Sequence, residues 1–336
     1  MPQRLVDRAP AVPPQALVAG LVPPPHFADV RFDTYEPDPA QPSQARAVEV
    51  LRGFAERLQP APRRLSDRLL GRSAAPAGKP GVYLDGGFGV GKTHLLASLW
   101  HAAPEPRAFC TFVELTHLVG ALGFAGTVGA LSGHRLLAVD EFELDDPGDT
   151  VLVSTLLARL VEAGVRLAAT SNTLPGALGE GRFAAQDFMR EIQGLSAHFE
   201  AVRVDGEDYR HRGLADAPPP LSDDDVRARA DAVDGASLDD FAALLEHLGS
   251  LHPSRYGALV DGVPLVGLLG VHEVPDQASA LRVVVLADRL YDRDVPVAAS
   301  GVPLDRLFSA EMLAGGYRKK YLRAVSRLTA LARAAS

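Results

Sequence analysis

The segment Gly86-Gly87-Phe88-Gly89-Val90-Gly91-Lys92-Thr93 follows a short apolar run, Val82-Tyr83-Leu84, and leads into Leu95-Leu96-Ala97-Ser98-Leu99-Trp100. Strand, glycine loop and helix start, in that order, make a P-loop. The glycines let backbone amides curl around phosphate oxygens with no Cβ in the way. The helix N-terminus adds unpaired N–H groups and partial positive charge. Lys92 is placed to reach the β- and γ-phosphates of a nucleoside triphosphate, and the Thr93 hydroxyl to ligate Mg²⁺. The chain has lysine at only four positions, 79, 92, 319 and 320, so composition does not supply this one by accident. His94 follows on the first helical turn, beside the phosphate site, and reads as a packing residue.

The second half of the site lies downstream, in Leu136-Leu137-Ala138-Val139-Asp140-Glu141. An all-apolar run of this kind suits a parallel strand covered on both faces. It ends in two carboxylates, the Walker-B pattern. Asp140 would hold the Mg²⁺ shell at the carboxyl end of the strand, where open α/β sheets bind ligands. Glu141 would take a proton from the attacking water as general base. The competing reading makes Glu141 an acidic residue at a helix start, since Phe142-Glu143-Leu144-Asp145-Asp146 is rich in such residues.

Asp140 follows Lys92 by 48 residues, which leaves room for a helix, a further strand over 108–113 and a second helix over 116–131. A strand inserted between the two Walker segments, with Glu beside Asp, points to the additional-strand ATPases and away from GTPases and small-molecule kinases. The next strand, 165–171, ends in Asn172, whose side chain could hydrogen-bond the γ-phosphate or the attacking water in the sensor-1 role. Asn is also a favoured helix cap, and Thr173-Leu174-Pro175 follows, so a capping role competes. A fifth strand covers 201–204. The expected fold is therefore an α/β P-loop NTPase of the additional-strand (AAA+) type, a parallel sheet flanked by helices, with a smaller mixed α/β C-terminal lid.

The rest of the chain is organised by its prolines and helix signals. Residues 1–25 are proline-rich and read as an extended arm. Residues 26–80 form an irregular and helical lead-in, in which Ser43 is a candidate cap for a helix over 44–58 with Val48, Leu51 and Leu58 on one face. The ATPase core covers 81–212, and the lid 213–336 begins beside Ala217-Pro218-Pro219-Pro220. Ser222 and Ser237 read as two helix starts within the lid, followed by a helix over 281–291, a strand over 295–299 and a basic helix from about 316 to 334.

The formal net charge of −8 predicts no global attraction to nucleic acid or anionic lipid. The single cysteine, Cys110, sits inside a predicted strand and excludes an internal disulfide and a thiolate zinc site. The ten histidines show no metal-ligand spacing. No apolar run approaches transmembrane length on this reading, so the expectation is a cytoplasmic chain meeting membranes only through a partner.

GGFGVGKT, LLAVDEFE, AATSNTLP and VDGEDYRHR, together with PPPHFADVRFDTYEPDP, LADRLYDRDVPVAAS and the terminal SRL, resemble the ZapE family of AAA+ ATPases, from about residue 23 to 330. The resemblance implies ATP hydrolysis with Mg²⁺, a protein partner such as the division apparatus, and nucleotide-linked homo-oligomers. Oligomeric AAA+ enzymes complete the site with an arginine from the neighbouring subunit. The family has an arginine-rich segment where this chain has Gly181-Arg182-Phe183-Ala184-Ala185-Gln186-Asp187-Phe188-Met189-Arg190, which leaves Arg182, preferred, or Arg190. Arg323 and Arg327 are the sensor-2 candidates. A helicase-loader-like ATPase stimulated by single-stranded DNA and a nucleotide-gated scaffold with little hydrolysis remain as alternatives.

Overall fold

The computed structural model describes residues 2–11, 13–59, 78–87, 89–144, 147–175, 178, 188–206 and 217–335. It divides into two units, one of residues 14–23 and 27–212, the other of residues 1–13, 24–26 and 213–336.

The first unit is built on five parallel strands: β1 (Gly81–Gly86), β2 (Arg107–Thr111), β3 (Leu136–Asp140), β4 (Arg166–Ser171) and β5 (Phe199–Val204), in the order β2-β3-β4-β1-β5. The strand that separates the Walker segments in sequence, β2, lies at the sheet edge; it is β4 that lies between the P-loop strand and the Walker-B strand, which is the additional-strand arrangement. β3 is buried along its whole length, as its unbroken apolar sequence requires of a strand covered on both faces. One face packs Leu51 and Phe54 with Leu95, Leu96 and Leu99. The other packs Phe112, Leu115, Leu156, Leu160 and Ile192. The register pairs Val139 with Ala169 and Leu84 with Thr170, so β1, β3 and β4 end level with one another.

Several local expectations give way to tertiary structure. The helix Pro42–Leu58 starts at Pro42 with Gln41 as its cap, and Ser43 lies inside it. The Ser43 hydroxyl instead accepts from the Asp205 amide at 2.9 Å, tying the helix to the end of β5. The helix after β2 begins at Phe112 because Thr111 and Glu114 form a reciprocal capping box. It runs to Leu131, and by length and composition it is long and apolar enough to cross a membrane. The expectation that no run reaches that length is corrected here. Gly123, at φ 70° and ψ 164°, breaks the helix, and Leu115, Leu118 and Leu131 enter the core, as in a helix packed on a sheet.

The N-terminal arm is not one extended segment. Pro14–Ala19 is helical, and the Leu21 carbonyl accepts from the Phe109 amide at 2.8 Å on edge strand β2. Residues 3–8 belong to the second unit. There a three-stranded parallel sheet, β6 (Ser237–Asp240), β7 (Val266–Val271) and β8 (Val297–Gly301), packs with the helices Phe241–Ser250, Gln277–Tyr291 and Arg318–Ala334. Ser237 opens a strand and not the expected helix; Asp240 caps the helix that follows, accepting from the Ala243 amide at 3.0 Å. Gln3 pairs with Ser237, and the buried Asp239 carboxylate accepts from the Leu5 and Val6 amides at 2.9 and 3.1 Å.

Candidate active site

Gly86 ends β1 where a Cβ would stand 2.1 Å from the Val204 carbonyl oxygen, so only glycine lets β5 lie this close. Gly89 and Gly91 take φ values of 70° and 85°, and Gly91 opens the helix Lys92–Ala102. That left-handed bend turns the chain from loop to helix and is cheap for glycine alone. Phe88 lies outside the described residues. The Tyr35 hydroxyl donates to the Val90 carbonyl at 2.9 Å, and a Cβ on Gly91 would lie 2.5 Å from the Tyr35 ring.

Lys92 Nζ donates to the carbonyls of Gly86 and Gly87 and to Asn172 Oδ1, the last at 2.9 Å. The ammonium is thus held at the mouth of the loop by oxygens, and the sensor-1 candidate shares a hydrogen bond with the P-loop lysine. The Thr93 hydroxyl lies 3.0 and 3.2 Å from the two Asp140 carboxylate oxygens. A hydroxyl and a carboxylate so placed are hard oxygen donors of the kind Mg²⁺ takes alongside nucleotide phosphates and water. His94 packs edge-on to Tyr35 at 5.5 Å, and its Nε2 lies 2.9 Å from Thr34 Oγ1 and 3.3 Å from the Arg31 carbonyl. Partial burial pushes its pKa down, favouring the neutral ring.

Glu141 stands at φ 54°, a left-handed conformation that non-glycine residues rarely take. The next helix begins only at Pro147, so Glu141 is not a helix-start residue. It is flanked by buried Asp140 and by Phe142, which is fully buried against Phe112 and Tyr83. It directly follows the last residue of β3, at the carboxyl end of the sheet, and is partly buried.

The sequence reading passed over two polar residues in this site. Thr170 is only 2% exposed. Its hydroxyl donates to Asp140 Oδ1 and accepts from the Glu141 amide at 3.0 Å, while its carbonyl accepts from the Phe142 amide at 2.7 Å. Glu143 is 9% exposed and accepts from the Ser171 hydroxyl at 3.3 Å and the Asn172 amide at 3.4 Å. Tyr83 reaches the same turn, donating to the Thr173 carbonyl at 2.8 Å. Thr170 was visible as the first polar residue at the end of an apolar strand; Glu143 looked like one acid among several.

Arg182 lies outside the described residues. Arg190 is exposed on the first turn of the helix Met189–Ala197. Arg323 and Arg327 both pair with the Asp288 carboxylate, Arg323 at 2.8 Å. Asp288 is partly buried, and these two guanidinium groups hold its carboxyl below the usual carboxylate range against the desolvation that opposes charge.

The profile of the AFG1-like ATPase family matches residues 11–232 and 215–335. The chain belongs to this family. It is an ATPase of the AAA+ P-loop type. The cell division protein ZapE of Escherichia coli is 26% identical over an alignment covering 88% of this chain and 91% of ZapE. An uncharacterized protein of Schizosaccharomyces pombe is 26% identical over 44% of this chain and 37% of its own length. Among solved structures, the DnaC helicase loader is 17% identical with a TM-score of 0.36, covering 54% of this chain and 99% of that one. DnaA of Aquifex aeolicus bound to AMPPCP is 12% identical with a TM-score of 0.38, covering 62% of this chain and 56% of that one.

Proposed function

We propose that this AFG1-like ATPase hydrolyses Mg²⁺-bound ATP at the site described and couples turnover to a protein partner, in the manner of a ZapE-like enzyme of the division apparatus. The observation that carries the catalytic reading is the convergence of Lys92, Thr93, Asp140, Glu141 and Asn172 at one end of the sheet. The P-loop amides and Lys92 bind the phosphates, with Gly86, Gly87, Phe88, Gly89, Val90 and Gly91 forming the loop. Thr93 and Asp140 would hold Mg²⁺, which would neutralise phosphate charge. Glu141 accepts a proton from water as the water oxygen forms a bond to the γ-phosphorus, and the bond to the β,γ-bridging oxygen breaks. Asn172 positions the water or a γ-phosphate oxygen. An arginine from a second copy, Arg182 or Arg190, stabilises the transferring phosphoryl group.

The partner reading draws on the likeness to ZapE. Steady-state ATP turnover measured over a wide range of protein concentration tests the catalytic reading and whether the site is shared between copies. Specific activity that rises with concentration and is lost in Glu141→Gln supports a site shared between copies. Equal turnover by Glu141→Gln would remove the general-base role. Stimulation by single-stranded DNA would favour a helicase-loader-like activity over the division reading, and ATP binding with negligible turnover a nucleotide-gated scaffold. For the arginine, Arg182→Ala should bind nucleotide, lose turnover, and regain it on mixing with Glu141→Gln subunits.

A further inference from the structure

Backbone pairing between β3 and β4 ends at Val139 and Ala169, yet the two chains remain joined beyond it. Asp140 and Glu141 both bond to the Thr170 hydroxyl, the Phe142 amide bonds to the Thr170 carbonyl, and Glu143 bonds to Ser171 and Asn172. Side-chain bonds, together with the one backbone bond from Phe142, continue the connection past the paired strands. Thr170 is the central rung. A hydroxyl has one proton to donate and lone pairs to accept with, and both capacities are used here on adjacent residues with different tasks.

We infer that Thr170 is a positioning residue that couples the Mg²⁺-binding carboxylate to the general base. By donating to Asp140 Oδ1 it fixes how that carboxylate faces Thr93. By accepting from the Glu141 amide it helps hold Glu141 in its left-handed backbone conformation, which strain would otherwise relax. The hydroxyl is buried, so water does not readily replace either bond. Valine has the same shape and neither capacity; serine keeps both. The inference deepens the hydrolytic reading above and rests on it only for its kinetic consequences.

The test uses the full-length chain and the variants Thr170→Val and Thr170→Ser. Thr127→Val serves as a control for the loss of a buried hydroxyl, since Thr127 is buried and donates to the Gly123 carbonyl at 2.9 Å in another part of the unit. The first readout needs no nucleotide: amide hydrogen exchange at Glu141. Thr170→Val should speed it by about tenfold or more, with Thr170→Ser and Thr127→Val close to the parent. The second is turnover against Mg²⁺ concentration. Thr170→Val should lower kcat by about tenfold or more and move the Mg²⁺ midpoint, and Thr170→Ser should restore both to within about threefold. Unchanged exchange at Glu141 in a folded Thr170→Val variant overturns the inference. So does a serine variant as impaired as the valine variant, or an equal shift of the Mg²⁺ midpoint in Thr127→Val. A parent chain without turnover would sink the hydrolytic reading alone, because exchange at Glu141 still decides the role of Thr170.

Discussion

At the scale of single residues, the site separates into groups that bind and groups that react, and substitutions should separate them too. Lys92→Ala removes the one ammonium at the loop mouth and should abolish tight ATP binding, read by fluorescence of a labelled nucleotide. Glu141→Gln keeps size and polarity but cannot take a proton, so it should bind ATP normally and lose turnover by about 10²-fold or more. Asn172→Ala should fall between these, with kcat reduced and nucleotide affinity little changed. It removes one acceptor of Lys92 without altering the loop. Lys92, Thr93, Asp140, Glu141 and Asn172 were all legible from spacing and residue type. Thr170 and Glu143 were not, because their roles depend on which strand lies beside which. A polar residue at the end of a buried strand says nothing about the carboxylate it will face.

At the scale of elements, the glycine loop is shaped by what packs around it as much as by its own sequence. Gly86→Ala would press a methyl group into the Val204 carbonyl and separate β1 from β5. The expected cost is about 3 kcal/mol or more, read as a drop in the chemical-denaturation midpoint. In the second unit, Leu5 is fully buried in the core formed by the helices Phe241–Ser250 and Gln277–Tyr291. Leu5→Ala should therefore cost about 2–5 kcal/mol in the stability of that unit, a large effect for the fifth residue of a segment that reads as an extended arm. The two serine-led helix starts of the lid show the limit of local signals. Ser222 caps its helix as expected, accepting from the Asp225 amide at 3.1 Å, whereas Ser237 pairs with Gln3 and opens β6. Nothing near Ser237 announces a strand partner more than two hundred residues away.

At the scale of the whole molecule, stability should depend on pH with a definite sign. Burial pushes the pKa values of His94, His101 and His198 below the ordinary histidine value. The unfolded chain therefore binds more protons than the folded one as pH falls through that ordinary value of about 6.5, and stability falls with it. The thermal midpoint should drop between about pH 7 and pH 5, and His94→Gln should flatten that slope. The same scale separates what the sequence carried from what folding decided. The glycine spacing, the apolar strands and the Asp-Glu pair determined a P-loop ATPase by themselves, because cradling phosphate demands that loop spacing and metal and water chemistry demand carboxylates at a strand end. The tertiary structure alone decided that β4 lies between the two Walker strands, that Thr170 bridges Asp140 and Glu141, and that Tyr35 and Val204 crowd the loop. Those facts depend on contacts between segments far apart in sequence, and no local pattern encodes which segments meet.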